Sequence, residues 1–208
     1  MNHTQSVART SPATPVAHWL QALRGALVLM VLCGGLYPLF TVAIGAALFH
    51  VQSTGSLIER DGQMIGSALV GQPFSAPGYF HGRPSVAGYD PFAVSGSNLA
   101  PSNPTLRERA SVSSSAVSAA NGVAPTAIPV DLVAASGSGI DPHISPAAAE
   151  IQIDRVAAAR GRPRSEVAAL VAARVERPVL GVLGQPRVNV LQLNLALDAL
   201  GPEAGLTP

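Results

Sequence analysis

Residues 25–49 have the sequence GALVLMVLCGGLYPLFTVAIGAALF, which contains no charged side chain. At about 1.5 Å per residue, a helix of this length reaches roughly 37 Å and exceeds the hydrocarbon core of a bilayer, about 30 Å. The remainder of the chain has no second block of this kind. We therefore expect a tail at residues 1–19, one transmembrane helix over 20–49, and a soluble domain behind it.

The charges on either side of the block predict its orientation. Arg9 and Arg24 precede it, whereas acidic and basic residues are mixed at 59–61. Flanks rich in positive charge stay in the cytoplasm, so the tail is expected inside and the domain outside. A cleaved secretory signal is the alternative, and the small residues around 43–45 would suit it. The anchor is favoured because a signal has an apolar stretch of only about 7–15 residues.

Four residues of the block are spaced to share one helical face: Gly34, Pro38, Thr41 and Gly45. Small residues let another helix approach closely in lipid, and a carbonyl freed by proline needs a donor from elsewhere. This spacing favours a partner helix in the membrane. A kinked anchor that packs against no other helix is the alternative, because glycine and proline are common in spanning helices.

Composition excludes several classes of function. Beyond the N-terminal segment, 11 arginines face 12 acidic residues, so neither a nucleic-acid surface nor a strongly basic face is indicated. The chain contains no lysine, which excludes a Schiff base and the lysine of a phosphate-binding loop. Its one cysteine, Cys33, lies in the apolar block, so no disulfide framework is expected. With few aromatic residues, the core must consist of alanine, valine, leucine and isoleucine.

Hydrophobic spacing predicts a mixed α/β or α+β domain over 66–208, joined to the membrane helix by a connector at 50–65. Strands are expected at 66–72 and 127–133. Helices are expected to start at Asn103-Pro104, Ser145-Pro146, Ser165 and Asn189, with stops at Gly122, Gly161 and Leu200. The last segment also alternates, which leaves a strand as its alternative.

No catalytic motif is present. The stretch at 136–139 lacks the first glycine of a serine hydrolase elbow, and no phosphate-binding or dinucleotide-binding glycine loop occurs. Asp141 and His143 could supply two metal ligands, but a third is missing, so a turn and a hydrogen bond are the expected roles. Arg83 is expected to pair with a loop carboxylate such as Asp90, or to contact a partner.

Six motifs occur in order along the chain: GSALVGQ at 66–72, YFHGRPS at 79–85, Tyr89-Asp90, SGSNLAPSNP at 95–104, PVDLVAASGSGIDPHISP at 129–146, and GQPRVNVL at 184–191. Together with the single N-terminal span they resemble the C subunit of the Kdp-type bacterial potassium-transporting ATPase. The resemblance covers nearly the whole chain beyond about residue 20. One departure is the serine-rich segment 111–118, where such proteins usually carry a charged helix.

The resemblance implies an accessory, non-pumping subunit in the bacterial inner membrane, with its domain in the periplasm. Its implied partners are a channel-like potassium-translocating subunit, an ATP-hydrolysing P-type subunit, a small single-span subunit and membrane lipid. The family is described as a catalytic chaperone that raises the ATP affinity of the hydrolysing subunit. ATP and K⁺ would thus be used through the complex, and the chain would have no cofactor of its own. The expected orientation favours assembly over direct nucleotide binding.

The family motifs also supply candidate interface residues for assembly: Gln72, Gly82, Arg83, Asp90, Asn98, Asn103, Asp131, Ser136, Gly139, Asp141, His143, Arg187 and Asn189. Two other functions remain open at this point. The first is an anchored periplasmic enzyme that uses Asp131, Asp141 and His143 as acid and base, with Arg83 as orienter. The second is a nucleotide-binding regulator.

Overall fold

The computed structural model of the chain describes residues 15–201, and it falls into two compact units, Met1–Gly55 and Ser56–Pro208. Most of the expected tail at 1–19, including Arg9, lies outside the described residues. The division between the units falls inside the segment 50–65, which we expected to be a connector. That segment holds a short helix and most of a β-hairpin.

The first unit is one long helix followed by a short one. Helix α1 (Pro15–Val31) continues through a π-helical turn (Leu32–Leu36) into α2 (Tyr37–Leu48), and α3 (His50–Ser53) follows. The stretch His18–Leu48 contains an 18-residue window with a mean hydropathy of 2.3, and none of that window is buried. Its length and composition are sufficient to cross a membrane, as the sequence predicted.

The π-helical turn lies directly before Pro38. Proline has no N–H to donate, so the regular ladder of hydrogen bonds is broken at this point. The N–H of Tyr37 donates to the carbonyl of Leu32, five residues back, which widens the turn. The Thr41 hydroxyl donates to the carbonyls of Tyr37 and Pro38 at 3.1 and 2.9 Å. The helix therefore passes the proline with local adjustments of its own backbone.

The second unit combines helices with two small antiparallel sheets, which confirms the predicted mixed fold. Its elements in chain order are β1 (Leu57–Arg60), β2 (Gln63–Ser67), α4 (Pro104–Asn121), β3 (His143–Ile144), α5 (Pro146–Glu150), α6 (Ile153–Arg160), α7 (Arg164–Ala173), β4 (Val175–Glu176), β5 (Arg187–Asn189) and α8 (Val190–Ala199). Strands β1 and β2 form one sheet, and the other has the order β3-β5-β4.

The strand predicted at 66–72 is wrong beyond its first two residues. Strand β2 ends at Ser67, whose hydroxyl accepts the N–H of Leu69 at 3.0 Å and turns the chain. The strands lie earlier in the chain, in a hairpin that begins at Leu57, with Asp61-Gly62 at its turn and φ angles of 53° and 74°. Asp-Gly is among the preferred pairs for this turn, because both positions need positive φ.

The strand predicted at 127–133 is also wrong. Two 3₁₀ turns, Pro125–Ala127 and Val130–Leu132, occupy the segment. Prolines at 125 and 129 remove the N–H groups that a strand would donate to a neighbour. Of the apolar residues that alternate here, only Leu132 is fully buried.

The predicted helix starts are confirmed at three of four positions. The side chains of Asn103, Ser145 and Asn189 accept hydrogen bonds from the first turns of α4, α5 and α8. The fourth, α7, begins one residue before Ser165 and has no side-chain cap. The helix expected from 145 to 161 is two helices, because the chain turns at 151–152 between α5 and α6.

The core lies between the three-stranded sheet and helices α5 to α8. Ile144, Ile153, Val156, Val167, Val188, Leu193 and Leu197 are at most 2% exposed. The aliphatic composition expected from the sequence is confirmed, with one exception. Phe80 is completely buried, although it lies in a loop.

Candidate functional site

Arg83, Asp141 and His143 come together from two distant loops. Arg83 Nη1 donates to Asp141 Oδ2 at 3.0 Å, and the backbone N–H of His143 donates to Asp141 Oδ1 at 3.0 Å. The predicted pairing of Arg83 with a loop carboxylate is therefore confirmed, and the carboxylate is that of Asp141, whereas the sequence had offered Asp90 as an example. Asp90 instead accepts the N–H of Phe92 at 2.8 Å in a local turn. The expected turn at Asp141-Pro142-His143 is confirmed.

The surroundings of Asp141 stabilise its carboxylate. Hydrogen bonds from the His143 side chain and backbone, together with Arg83, lower the pKa of Asp141 to about 2, although partial burial acts in the opposite direction. A carboxylate with so low a pKa is a poor general base near neutral pH, because it binds a proton only weakly. This arrangement is suited to holding two loops together.

Residues 131–145, here called the 131–145 loop, fold back on themselves through serine hydroxyls. Ser136 is buried, and its Oγ accepts the N–H of Gly139 at 3.1 Å. Ser138 Oγ accepts the N–H of Ile140 at 3.2 Å. From the neighbouring loop, Ser85 donates to the carbonyl of Gly139 at 2.6 Å, and the Tyr89 hydroxyl donates to the carbonyl of Arg83. The polar groups of the loop are thus largely satisfied within the domain.

Glycine is required where the two loops touch. Gly139 has a φ of +75°, and a Cβ there would lie 2.7 Å from both Ala87 Cβ and the carbonyl oxygen of Ser95. A Cβ at Gly71 would lie 2.7 Å from the carbonyl oxygen of Asp141. Such approaches are closer than any side chain allows. The backbones of the 71–96 region and the 131–145 loop therefore pack directly against each other.

Asp131 has a different partner from the other two acid and base candidates. Its carboxylate accepts the Ser145 N–H at 2.6 Å and the Ser145 hydroxyl at 3.1 Å. The same hydroxyl accepts the N–H of Ala148 and caps α5. Asp131 therefore fixes the start of a helix and does not join Asp141 and His143 in one group.

Two buried amide side chains hold the segment around Phe80. Asn194 accepts the Phe80 N–H at 2.8 Å and donates to its carbonyl at 2.9 Å. Gln152 does the same for His81, at 2.8 and 3.1 Å. Arg155 donates to the carbonyl of Tyr79 at 2.9 Å, and burial lowers its pKa. None of these residues was among the candidates predicted from the sequence, although a polar side chain on the apolar face of α8 was a usable signal for Asn194.

Two cavities adjoin these loops, and neither contains the acid and base candidates. An open groove of about 800 Å³ lies between α4 and the segments 84–86 and 130–135, and a smaller one of about 270 Å³ includes His81 and Gln152. Asp131, Asp141 and His143 line neither of them. Within residues 15–201, no group of three histidine, cysteine or acidic side chains could hold a metal ion. Neither of these two cavities therefore brings the acid and base candidates together around a common space.

Comparison with known proteins identifies the family. Residues 19–199 match the family model described as KdpC, the K⁺-transporting ATPase c chain. The chain belongs to the KdpC family. A potassium-transporting ATPase KdpC subunit from Shewanella putrefaciens is 50% identical over 92% of this chain and 96% of its own length. The KdpC subunit from Xanthomonas oryzae is 54% identical over 86% and 88%, and that from Sorangium cellulosum is 52% identical over 88% and 98%.

KdpC proteins are subunits of the potassium-transporting ATPase and not its catalytic subunit. Membership therefore agrees with the accessory role. One N-terminal apolar helix fits a single-pass protein of such a transport complex. The residues that contact other subunits remain a prediction.

The remaining candidates from the KdpC motifs have local structural roles. Gln72 donates to the carbonyl of Ile65 at 2.8 Å, and Asn189 donates to the carbonyl of Ala68 at 2.7 Å. Arg187 pairs with Glu176 at 2.8 Å across the sheet. Asn98 has a φ of +50° in a loop, and Gly82 lies where a Cβ would approach Tyr89 to 3.4 Å. Most of these side chains thus bind their own domain.

Proposed function

We propose that this chain is the accessory subunit that stabilises the assembly of an ATP-driven potassium-uptake complex. Its anchor packs against the channel-like subunit, and its domain covers the outer surface of that subunit in the periplasm. A P-type hydrolysing subunit and a small single-span subunit complete the complex. ATP and K⁺ are used by the complex, and the chain acts on ATP affinity through its partners. The family match over residues 19–199 is the observation that carries the proposal.

The glycines of the anchor support its contact with another helix. A Cβ added at Gly34 would meet no atom within 4 Å, so nothing in the described part of the chain requires glycine there. Glycine inside a helix costs about 1 kcal/mol relative to alanine. Close approach of a second helix is a physical reason to keep it, because small residues let helix backbones come into contact in lipid. Thr41 needs no such partner, since its hydroxyl is bonded within its own helix.

The domain supports a structural role in a different way. Arg83, Asp141, Ser136 and Asp131 are held by other groups of the same domain. Arginines on α6 also hold neighbouring segments, since Arg160 donates to the carbonyl of Gly78 at 2.7 Å and pairs with Asp198 at 2.8 Å. A domain of this kind presents a fixed surface to a partner and brings no chemistry of its own.

Replacing Gly34 with leucine tests the anchor contact. The added side chain should separate the helices, and we expect most of the chain to be lost from the complex after gentle detergent extraction. The readouts are co-purification with the ATPase subunit and potassium-dependent ATP hydrolysis.

The matched control is Gly25→Leu. Gly25 also has no atom within 4 Å of an added Cβ, and nine residues of helix place it about half a turn away from Gly34. We expect this variant to stay in the complex. Equal retention of the two variants would contradict the proposed face.

Orientation is tested with protease on intact spheroplasts. We expect the domain to be digested from outside, leaving a protected fragment that contains the anchor. Digestion that occurs only after lysis would place the domain in the cytoplasm and overturn the periplasmic part of the proposal.

A further inference from the structure

The segment 177–186, here called the apolar hairpin, connects β4 to β5 and has a well-defined end. Val179 donates to the carbonyl of Leu183 at 2.9 Å, and Leu183 donates back to Val179 at 3.0 Å. Gly181 donates to the carbonyl of Pro178 at 3.0 Å. The backbone of the tip is thus fixed before any partner is present.

The side chains at this tip are apolar and uncovered. Val179, Leu180, Val182 and Leu183 are 64%, 87%, 79% and 60% exposed, and together they are called the apolar tip. Single exposed aliphatic residues are ordinary, but four within five positions make a contiguous apolar surface.

Leu180 has a φ of +54° and is followed by Gly181 at +76°. A hairpin turn with positive φ at both positions favours Asn-Gly or Gly-Gly, because a side chain with a Cβ is strained there. Leu180 is thus strained and also 87% exposed, so it buries little apolar surface within its own domain. Local rules of this kind are broken mainly at functional sites.

The base of the apolar hairpin is positively charged. Arg174 and Arg177 are exposed, and neither takes part in an ion pair found within residues 15–201. Arg187 is paired with Glu176, so the two other arginines give the base a net positive charge. A complementary surface would carry carboxylates around an apolar centre.

A protein surface fits these features better than a bilayer. The apolar hairpin contains no tryptophan or tyrosine, the residues that membrane interfaces favour. Its rigid tip suits a shaped pocket, where a preformed anchor loses little conformational entropy on binding. The chain also belongs to a family of subunits of a larger complex.

We propose that the apolar tip inserts into an apolar pocket, rimmed by carboxylates, on another subunit of the transport complex. This inference rests on the proposed function and assigns the contact to a segment other than the loops of the family motifs. The arginines at the base orient the hairpin, and the aliphatic side chains supply the buried contact.

A photoreactive amino acid at position 180 of the full chain, in cells that express the complete complex, tests the contact. We expect a crosslink to one subunit that co-purifies with the chain, and a weaker or absent crosslink from position 64, which is 63% exposed in β2. An intact complex in which position 180 crosslinks to no subunit, or to lipid alone, would overturn this inference only. Failure of the unmodified chain to co-purify with an ATPase subunit would overturn the proposed function as well.

Leu180→Asn separates binding from folding. Asparagine tolerates positive φ, so the melting temperature of the free chain should not fall, whereas retention in the complex should drop by roughly tenfold, as at an interface hot spot. Leu180→Met keeps an apolar side chain and should retain near-normal binding. Wild-type retention of the Leu180→Asn variant would contradict the proposal.

Discussion

The 131–145 loop and the apolar hairpin both connect to the same three-stranded sheet, yet the side chains of the loop bond to their own domain and those of the hairpin tip are exposed. The loop turns serines, Asp131 and Asp141 toward neighbouring backbone and is satisfied by its own domain. The hairpin satisfies its backbone and leaves four aliphatic side chains in solvent. The sequence placed candidate interface residues in the loop, because its residue pattern is more distinctive than that of the hairpin.

This difference separates two reasons for a distinctive sequence. The loop needs its residues to hold backbone segments that pack so closely that a Cβ added at Gly139 would lie 2.7 Å from its neighbours. The hairpin has residues that its own fold does not need. A binding surface is therefore better sought where a residue departs from the usual backbone or burial preferences without stabilising its own domain.

The largest expected effect comes from a pair of glycine substitutions with matched backbone angles. Gly139→Ala should lower the free energy of unfolding by about 3 kcal/mol, since strain at positive φ is added to clashes with Ala87 and Ser95. Gly181→Ala, at φ +76° with no atom within 4 Å, should cost only about 1 kcal/mol. Urea unfolding of the detergent-solubilised chain measures both values.

Equal losses at Gly139 and Gly181 would show that the two regions are packed alike. A loss at Gly181 larger than that at Gly139 would reverse the comparison and identify the hairpin as the part that supports the domain.

The second effect is a dependence of stability on acid. The pKa of Asp141 is about 2 in the folded chain, below its value of about 3.9 when unfolded. Its contribution is therefore fully present above about pH 4 and is lost as the pH falls toward 2, which amounts to about 2 kcal/mol. Unfolding measured between pH 5 and pH 2 should show this loss, and Asp141→Asn should show it reduced.

The matched variant in the hairpin is Arg177→Gln. Arg177 takes part in no ion pair found within residues 15–201, and Asp141 is paired with Arg83, so the variant should keep the pH dependence of the unmodified chain. A flat profile for the unmodified chain would mean that Asp141 is not the stabilising carboxylate.

The smallest effect is expected for Leu180→Asn in the free chain. Its free energy of unfolding should be unchanged or higher by up to about 1 kcal/mol, because strain at φ +54° is relieved and no buried contact is lost. Leu132→Asn, at a residue only 4% exposed, should instead cost several kcal/mol, roughly 3 or more. A clear loss for Leu180→Asn would show that the tip packs within the domain.

Much of the local structure could be predicted from the sequence. The caps of Asn103, Ser145 and Asn189 depend on groups two or three residues away, so their signals are contained in short windows. The two strand predictions failed because neither a short apolar stretch, as at 66–72, nor apolar alternation, as at 127–133, says whether a neighbouring strand exists. Prolines at 125 and 129 were a warning of the second failure.

The sequence predicted which residues belong to the candidate site, but it did not predict which of them are hydrogen-bonded to each other. Arg83 was expected to pair with a loop carboxylate such as Asp90, seven residues away, and it is bonded to Asp141, which is 58 residues away. The two hydrogen bonds between the Asn194 side chain and the Phe80 backbone join residues that are 114 positions apart. Their only signal in the sequence is a polar side chain on an apolar helical face. Residue type says that an arginine needs an acceptor, and packing decides which acceptor it receives.

The sequence by itself determined the long apolar helix, the helix caps and the family, because length, short-range hydrogen bonding and residue order need no knowledge of the fold. The tertiary structure alone decided that the family motifs hold the domain together, and that four aliphatic side chains at 179–183 remain exposed. The physical reason is that burial belongs to the packed molecule. An aliphatic residue looks the same in sequence whether its neighbours cover it or leave it for a partner.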